Sequence, residues 1–280
     1  MRLKNNQETN LKQKGTNFWD LNPCGGQWAS YQEFFNWYQQ TEPYILESFD
    51  KYRWKNKKVL AVGCGQGFIA NYLAEQTSPI IAVDISLDSL LRAKAGTKEL
   101  GNMDKIQFDL SNAENLPFRN AYFEVVVCLG VLHHTPDTLK GISEIFRTQR
   151  KGGSSFVMLY RSGNPKWLVV KTIRNIAGLY KKITGKPRIT QIKGEQNVWD
   201  HKGTAINELL DVPIMKAFSN KQVKLMFNKF KVVKIINCQP GFKRLKDFLS
   251  FLRPFEKILE WVDIKVKKKW GFYQVIIAEK

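Results

Sequence analysis

The sequence lacks the long hydrophobic runs that mark membrane-spanning or secreted chains. No apolar stretch approaches the roughly 18 to 20 residues of a membrane span, and the run WLVV at 167–170 is flanked by lysines. The first residues, MRLKNNQETNLKQKG, carry positive charge but no apolar segment, so they do not resemble a secretory signal. We therefore expect a cytoplasmic protein, with any membrane contact peripheral and on the inner face.

Cysteine and histidine are also scarce, with four and three residues respectively. The cysteines, Cys24, Cys64, Cys128 and Cys238, lie far apart and match no metal-ligand spacing. Such spacing is typical of reduced thiols in a reducing compartment. The sequence predicts no metal site.

Acidic residues are few, and their shortage is confined to the C-terminal part. Residues 1–160 hold 18 Lys and Arg against 16 Asp and Glu, whereas residues 161–280 hold 26 against 9. The net charge of +19 is therefore carried mostly by the second part. This charge favours an anionic partner, such as a phosphorylated small molecule, a lipid surface or nucleic acid, without choosing among them. A solvated lysine-rich face would account for it equally well.

The pattern of apolar segments predicts an α/β protein. After about 15 polar residues, expected to be mobile, an aromatic-rich segment at 18–54 has helical spacing of Trp28, Tyr31, Phe35 and Tyr38. Short apolar runs then alternate with helix-like segments, which is typical of a parallel sheet covered on both faces. These runs lie at 59–63, 79–84, 105–110, 122–130 and 154–160.

Beyond Arg161 the chain becomes basic and amphipathic. The segments 165–182 and 242–269 mix large apolar residues with cations, Ser219 is a plausible helix N-cap, and FYQVIIAEK at 272–280 predicts a terminal strand. We divide the chain into a tail and helical lid (1–53), a core (54–161), a basic cap (162–218) and a C-terminal completion of the sheet (219–280).

The stretch KKVLAVGCGQG at 57–67 predicts a strand followed by a ligand-binding turn. Gly63, Gly65 and Gly67 allow positive φ and close approach of a ligand to the backbone. Asp84 ends the next strand, where a carboxylate can accept hydrogen bonds from both hydroxyls of a ribose. A dinucleotide fingerprint can be placed on Gly65, Gly67 and Ala70, but it leaves Gly63 unexplained. The turn alone therefore does not choose between a dinucleotide and S-adenosylmethionine (SAM).

Two later segments favour SAM. NAENLPF at 112–118 and VCLGVLHH at 127–134 follow the glycine turn and AVDIS in a fixed order. With these four blocks, residues 57–137 resemble the class I SAM-dependent methyltransferases, specifically the type 11 subgroup. The resemblance implies a Rossmann-like, doubly wound sheet of seven strands with the last strand antiparallel, here with an N-terminal helical lid and a C-terminal cap insertion.

The resemblance also implies roles for individual residues. Gly63, Gly65 and Gly67 would line the methionine end of SAM, Asp84 would hold the ribose hydroxyls, and Ile85 would pack on the adenine face. Asn112 and Ala113 would border the adenine edge, and Leu129 and Gly130 would form the floor near the sulfonium. Asn112 stands where the family commonly has Asp, and Ala61 stands where it usually has Glu or Asp. The missing carboxylate at Ala61 predicts weaker SAM binding or an acid supplied from elsewhere.

Two further interpretations concern catalysis and closure. His133 and His134 lie in the turn after the fourth strand, where an imidazole can act as a base; alternatively, one caps the next helix and the other packs. Tyr31, with Trp28 and Phe35, could close over the cofactor and donate its hydroxyl to the methionine carboxylate; alternatively, this helix packs against the sheet.

We expect methylation of a small acceptor, at oxygen more than elsewhere, with a glycan or a lipid-linked precursor as the suggested class; the basic C-terminal part would suit an anionic acceptor. The basic C-terminal segments could lie on a membrane or grip a phosphorylated substrate. The alternatives are an RNA-modifying methyltransferase, for which no RNA-binding module is visible, and a non-catalytic SAM-binding protein.

Overall fold

The structure is a computed structural model that describes residues 2–26, 28–49, 52–184, 212–242 and 250–280. The helices are α1 (Arg2–Leu21), α2 (Tyr31–Thr41), α3 (Pro43–Glu47), α4 (Phe68–Ala74), α5 (Leu87–Glu99), α6 (Thr138–Thr148), α7 (Pro165–Thr184), α8 (Asn220–Met226) and α9 (Glu256–Trp270). The strands are β1 (Val59–Val62), β2 (Ile80–Asp84), β3 (Ile106–Leu110), β4 (Phe123–Leu129), β5 (Gln149–Tyr160), β6 (Val232–Cys238) and β7 (Tyr273–Glu279).

The described strands form one sheet in the order β3-β2-β1-β4-β5-β7-β6. The first five in this order are parallel, and β7 runs antiparallel to both β5 and β6. The chain starts at the centre and winds outward in both directions, so the carboxyl ends of β1 and β4 meet at a topological switch point. The predicted doubly wound sheet of seven strands with an antiparallel last strand is confirmed.

Strand β1 shows why these segments form the centre of the sheet. All four of its residues are buried, because helices cover both faces and leave no side for polar residues. One face packs on α2, α3 and α4 through side chains such as Phe35, Ile45 and Phe68. The other packs on α6 and α8 through side chains such as Ile145 and Val223.

The N-terminal segment differs from the expected mobile tail, because it forms the helix α1. Its sequence is polar, and the contacts that hold it come from distant parts of the chain. Lys12 pairs with the buried Glu114 at 2.8 Å, and Asp20 accepts a hydrogen bond from the Ser86 hydroxyl at 2.7 Å. Such long-range contacts leave no periodic apolar pattern in the sequence.

The C-terminal predictions are only partly within the described residues. Ser219 caps α8 as expected, and with Gln222 it forms a reciprocal capping box. Helix α7 covers the first basic segment and α9 the end of the second. Residues 185–211 of the expected cap and 243–249 of the second basic segment lie outside the described residues. No helix among the described residues is long and apolar enough to cross a membrane.

Candidate active site

A cavity of about 820 Å³ opens at the carboxyl edge of the sheet, where β1, β2 and β4 end. Its volume is near the upper end of the range for small-molecule sites, roughly 300 to 1,000 Å³. Nine of the twelve residues expected to bind cofactor or act in catalysis line it: Gly63, Gly65, Asp84, Ile85, Asn112, Ala113, Leu129, Gly130 and His134. Gly67, Tyr31 and His133 are not among its lining residues.

The three glycines of the turn have different roles. All have positive φ, but a side chain at Gly63 would collide with Val131, and one at Gly67 would meet Ala93 at 3.0 Å. None of the described atoms lies within 4 Å of the position that a side chain would take at Gly65. Gly63 and Gly67 are therefore required by packing within the protein, and Gly65 is the position where the backbone faces open space. Gly67 stands at the start of α4 and does not line the cavity, so its contact with the cofactor stays a prediction.

Asp84 organises this turn from the end of β2. Its Oδ2 accepts a hydrogen bond from the Gly65 N–H at 2.8 Å, and its Oδ1 accepts one from the Ser86 N–H at 2.9 Å. Burial raises the pKa of the Asp84 carboxyl above its usual range, and the backbone N–H groups of Ser86 and Gly65 oppose that rise. Two oxygens offer about four acceptor positions, so two backbone bonds leave capacity for ligand hydroxyls.

The end of β3 supplies the neighbouring wall. Asn112 Oδ1 accepts a hydrogen bond from the Glu114 N–H at 2.8 Å, which forms a tight local turn and places Ala113 beside the cavity. Ser111, which the sequence reasoning missed, also lines the cavity, and its buried Oγ has no hydrogen-bond partner among the described residues. The sequence did hold a signal for Ser111: it follows β3 directly, just as Asp84 ends β2, and side chains at the carboxyl ends of parallel strands face the site.

His134 and His133 lie in a 3-10 turn, Leu132–His134, that follows β4. His134 lines the cavity, and its Nδ1 lies 2.8 Å from the carbonyl oxygen of Ile214. Because a carbonyl can only accept, the proton is assigned to Nδ1, and Nε2 is the basic nitrogen.

His133 instead lies inside the protein. It is fully buried and stacks on Tyr160 with ring centroids 3.8 Å apart. Burial lowers the pKa of His133 well below its usual range. It does not line the cavity, so the structure separates the two histidines into one that faces the cavity and one that packs.

Helices α1 and α2 close the outer side of the cavity. From α1, Lys12, Thr16 and Trp19 line it, and the Trp19 ring meets the edge of His134 with centroids 5.3 Å apart. From α2 the lining residues are Phe34, Trp37, Tyr38 and Thr41. The aromatic segment, which we predicted to form a lid, therefore shares this wall with α1, which the sequence reasoning missed.

The hydroxyl of Tyr31 is hydrogen-bonded within the protein, and its contact with the methionine carboxylate stays a prediction. Its hydroxyl donates to the Gln66 carbonyl at 2.7 Å and accepts from the Asn71 side chain at 3.2 Å, and its ring lies against Gly96. Its single hydroxyl proton is thus used within the protein. Tyr31 and Phe35 both pack within the protein, and Phe35 is buried against Phe68. This agrees with the alternative interpretation, in which the helix packs against the sheet.

Ala61 lines the cavity from β1 with 2% of its surface exposed. The acidic residues among the described lining residues are Asp84 and Glu42, the latter at the junction of α2 and α3. Glu42 is therefore the carboxylate in this wall besides Asp84. Sequence reasoning missed it, because nothing in the helical segment before β1 indicates that Glu42 reaches the cavity.

The chemistry of these groups fits SAM. Its ribose requires hydroxyl acceptors, which Asp84 supplies, and its amino-acid end requires a backbone that it can approach, which Gly65 supplies. The buried Ser111 hydroxyl offers a further polar contact beside the adenine wall. Among the described residues there is no group of three or more side chains able to hold a metal ion.

Comparison with known proteins supports this assignment. Residues 60–157 match the family described as "Methyltransferase domain". A ubiquinone biosynthesis O-methyltransferase of Aliivibrio fischeri is 35% identical over 101 residues, which are 36% of this chain and 42% of that protein. A tRNA U34 carboxymethyltransferase of Campylobacter fetus is 32% identical over 104 residues, 37% of this chain and 36% of that protein. The chain therefore spans less than half the length of these two relatives.

Among solved structures, the [4+2]-cyclase SpnF superimposes with a TM-score of 0.54 at 16% identity, over 95% of this chain and 94% of that one. At this identity the likeness concerns the fold alone. The glycine turn, the acidic end of β2 and the NAENLPF segment all lie within the matched residues 60–157. Residues 60–157 thus match a methyltransferase domain, and the sheet has the strand order and directions that the resemblance to class I SAM-dependent methyltransferases implies.

Proposed function

We propose that the protein methylates a small, largely apolar acceptor at a hydroxyl oxygen. The observation that carries this proposal is that one cavity is lined both by the groups suited to SAM and by His134. SAM supplies a methyl group already activated on a sulfonium. The protein then has to position the acceptor in line and take up the hydroxyl proton.

The residues of this chain divide these tasks. Asp84 would hold the ribose hydroxyls, Gly65 would admit the methionine end, and Ser111, Asn112 and Ala113 would border the adenine. Leu129 and Gly130 would form the floor beneath the reacting methyl group. This assignment is supported by the place of each residue in the wall of the cavity. Helices α1 and α2 would exclude water from the reacting groups.

His134 would act as the general base through Nε2. The bond between its Nδ1–H and the Ile214 carbonyl fixes the tautomer and the orientation of the ring. Since His133 is buried away from the cavity, we propose no catalytic step for it.

The acceptor class is inferred from the remaining wall. Aromatic side chains dominate it beyond the cofactor region, among them Trp37, Tyr38, Tyr44, Trp270 and Tyr273. An aromatic wall favours a ring or an isoprenoid chain over a free sugar, so we favour a lipid-linked precursor over a glycan. The likeness to a ubiquinone biosynthesis O-methyltransferase agrees with this choice.

The role of His134 is tested by replacing it. His134→Asn keeps a donor near the Nδ1 position for the Ile214 carbonyl but cannot take up a proton, and His134→Ala removes both functions. We expect both variants to lose at least about tenfold in turnover, measured by transfer of labelled methyl from SAM to a cell extract, while SAM affinity stays unchanged. Normal turnover in His134→Asn would show that His134 is not the base.

A second function, methylation of RNA, is favoured by one observation, the net charge of +17 on residues 161–280. The similarity to a tRNA U34 carboxymethyltransferase is compatible with it. In the same transfer experiment, labelled product that is destroyed by ribonuclease would favour RNA, and product that extracts into organic solvent would favour the lipid-linked acceptor.

A further inference from the structure

Helix α7 carries an apolar face that is exposed along its whole length. The large apolar side chains on this face range in exposed fraction from 43% for Tyr180 to 73% for Ile183. At about 100° per residue these side chains fall within an arc of about 140°. The exposed residues of this arc are Leu168, Val169, Ile173, Ile176, Leu179, Tyr180 and Ile183. An apolar face of this size on a surface helix marks an interaction site.

Lysines of α7 lie at the rim of this face, whereas Arg174 lies opposite it and donates to the Val212 carbonyl. The helix contains no Asp or Glu, and its cations include Lys171 and Lys182, which on the same projection lie beside the apolar arc rather than within it. A helix with an apolar face, lysines on its flanks and no acid is typical of segments that lie in the surface of an anionic bilayer.

Helix α9 also combines exposed apolar side chains with lysines, although it carries the acids Glu256, Glu260 and Asp263 as well. Ile258, Trp261 and Ile264 are each 58% exposed, and Lys265, Lys267, Lys268 and Lys269 lie in the last two turns of the helix. The preceding 3-10 segment, Ser250–Phe255, adds the exposed rings of Phe251 and Phe255. Trp and Phe beside lysines are suited to the headgroup level of a membrane.

Both helices border the mouth of the cavity. Pro165, Lys166 and Val169 at the start of α7 line it, as does Trp270 at the end of α9. Val169 is also 57% exposed, so the apolar face of α7 continues directly into the cavity wall.

We propose that the exposed faces of α7 and α9 dock on an anionic lipid surface, from which an amphipathic acceptor enters the cavity. The entry of the acceptor rests on the function proposed above, whereas the docking does not. Charge decides between the possible occupants of this surface. A second copy would bring another C-terminal part with net charge +17 against the first. RNA would neutralise the lysines but leave the apolar arc exposed to water. An anionic bilayer would neutralise the lysines and also cover the apolar arc.

The test is flotation of the full chain with lipid vesicles, which needs neither SAM nor an acceptor. We expect binding to vesicles with about one third phosphatidylglycerol, weaker binding to pure phosphatidylcholine, and loss of binding as salt is raised. Ile176→Glu combined with Leu179→Glu should lower the partition coefficient at least about tenfold. Leu91→Glu is the matched control, since Leu91 is 56% exposed on α5, outside the proposed surface, and should bind normally.

The charges are tested separately. Lys171→Gln combined with Lys182→Gln should weaken binding to the anionic vesicles by about fivefold for each charge removed, with little effect on neutral vesicles. Calorimetry with SAM should give the same affinity for all these variants, which separates a failure of docking from a failure of the proposed function. Undiminished flotation of Ile176→Glu with Leu179→Glu would overturn the proposal. So would a finding that these substitutions abolish RNA binding or dimer formation instead of vesicle binding.

Discussion

Individual positions in the cavity wall show how a family pattern is adapted in this chain. Ala61 stands where similar proteins usually carry an acid, and the structure places it in the wall of the cavity at 2% exposure. A carboxylate at this point of β1 would face the cofactor region. We predict that its absence weakens SAM binding by about 1 to 2 kcal/mol, while Asp84 and Glu42 remain in the wall.

Restoring that carboxylate gives a direct prediction. Ala61→Glu should tighten SAM binding by up to about tenfold, since 1.4 kcal/mol corresponds to a factor of ten. Ala61→Gln is the control, because it adds nearly the same volume without the charge. Calorimetric titration of both variants is the measurement. Equal affinities for Ala61→Glu and the unaltered protein would mean that Glu42 or another group already supplies the contact.

Residues whose roles depend on local backbone could be predicted from the sequence, and those that depend on distant contacts could not. Gly65 and Asp84 follow strands that their apolar runs identify, so their place at the sheet edge follows from topology. Tyr31 was predicted to face the cofactor, but the small residue Gly96 on α5 makes room for its ring inside the protein. Helical spacing in a sequence identifies which side of a helix is apolar. It does not show which neighbouring element that side packs against.

At the scale of elements, α1 is the least predictable part of the site. Its sequence is polar, so it could not be distinguished from a mobile tail, yet Lys12, Asp20 and Trp19 attach it to NAENLPF, to the start of α5 and to His134. Each contact joins residues more than 60 positions apart. A helix held in this way can open without loss of the sheet, as lids do.

Reversing the charge of Lys12 tests this attachment. Glu114 is 1% exposed, so Lys12→Glu would place two carboxylates together in a largely buried site. We expect α1 to exchange its amide hydrogens at least about tenfold faster, with the sheet unaffected, as followed by hydrogen exchange. Lys14→Glu is the control, because Lys14 is exposed on the same helix. Equal exchange in both variants would show that the ion pair does not hold α1.

At the scale of the whole molecule, the fold places a buried, neutral histidine beside the site. Because burial lowers the pKa of His133 well below that of the unfolded chain, only the unfolded chain takes up this proton as the pH falls below about 6.5. The contribution of His133 to stability is therefore fully present above about pH 6.5 and is lost as the pH falls below it.

This linkage predicts a measurable slope. The free energy of unfolding should fall by up to about 1.4 kcal/mol per pH unit below pH 6.5 because of this one proton. His133→Leu should remove that part of the slope, as measured by urea unfolding between about pH 5 and pH 7.5. An identical slope in the variant would mean that His133 becomes protonated within the folded protein.

The order of the strands could be predicted from the alternation of apolar runs and helices, together with the resemblance to a known family. The position of the two basic helices at the mouth of the cavity could not, because 165–182 and 242–269 show only composition and amphipathicity in the sequence. Their place follows from the antiparallel pairing of β7 with β5, which sets Tyr273, after the end of α9, beside Tyr160, before the start of α7.

The central claim is that the cavity at the ends of β1, β2 and β4 binds SAM through Asp84. Calorimetric titration of SAM into the unaltered protein and into Asp84→Asn tests it most directly. We expect one site per chain with a Kd between about 1 and 100 µM, and at least about tenfold weaker binding in Asp84→Asn, whose amide group cannot accept from both Gly65 and Ser86. A circular dichroism spectrum of the variant controls for folding. Absence of SAM binding by the folded, unaltered protein, or equal affinity in Asp84→Asn, would contradict the account.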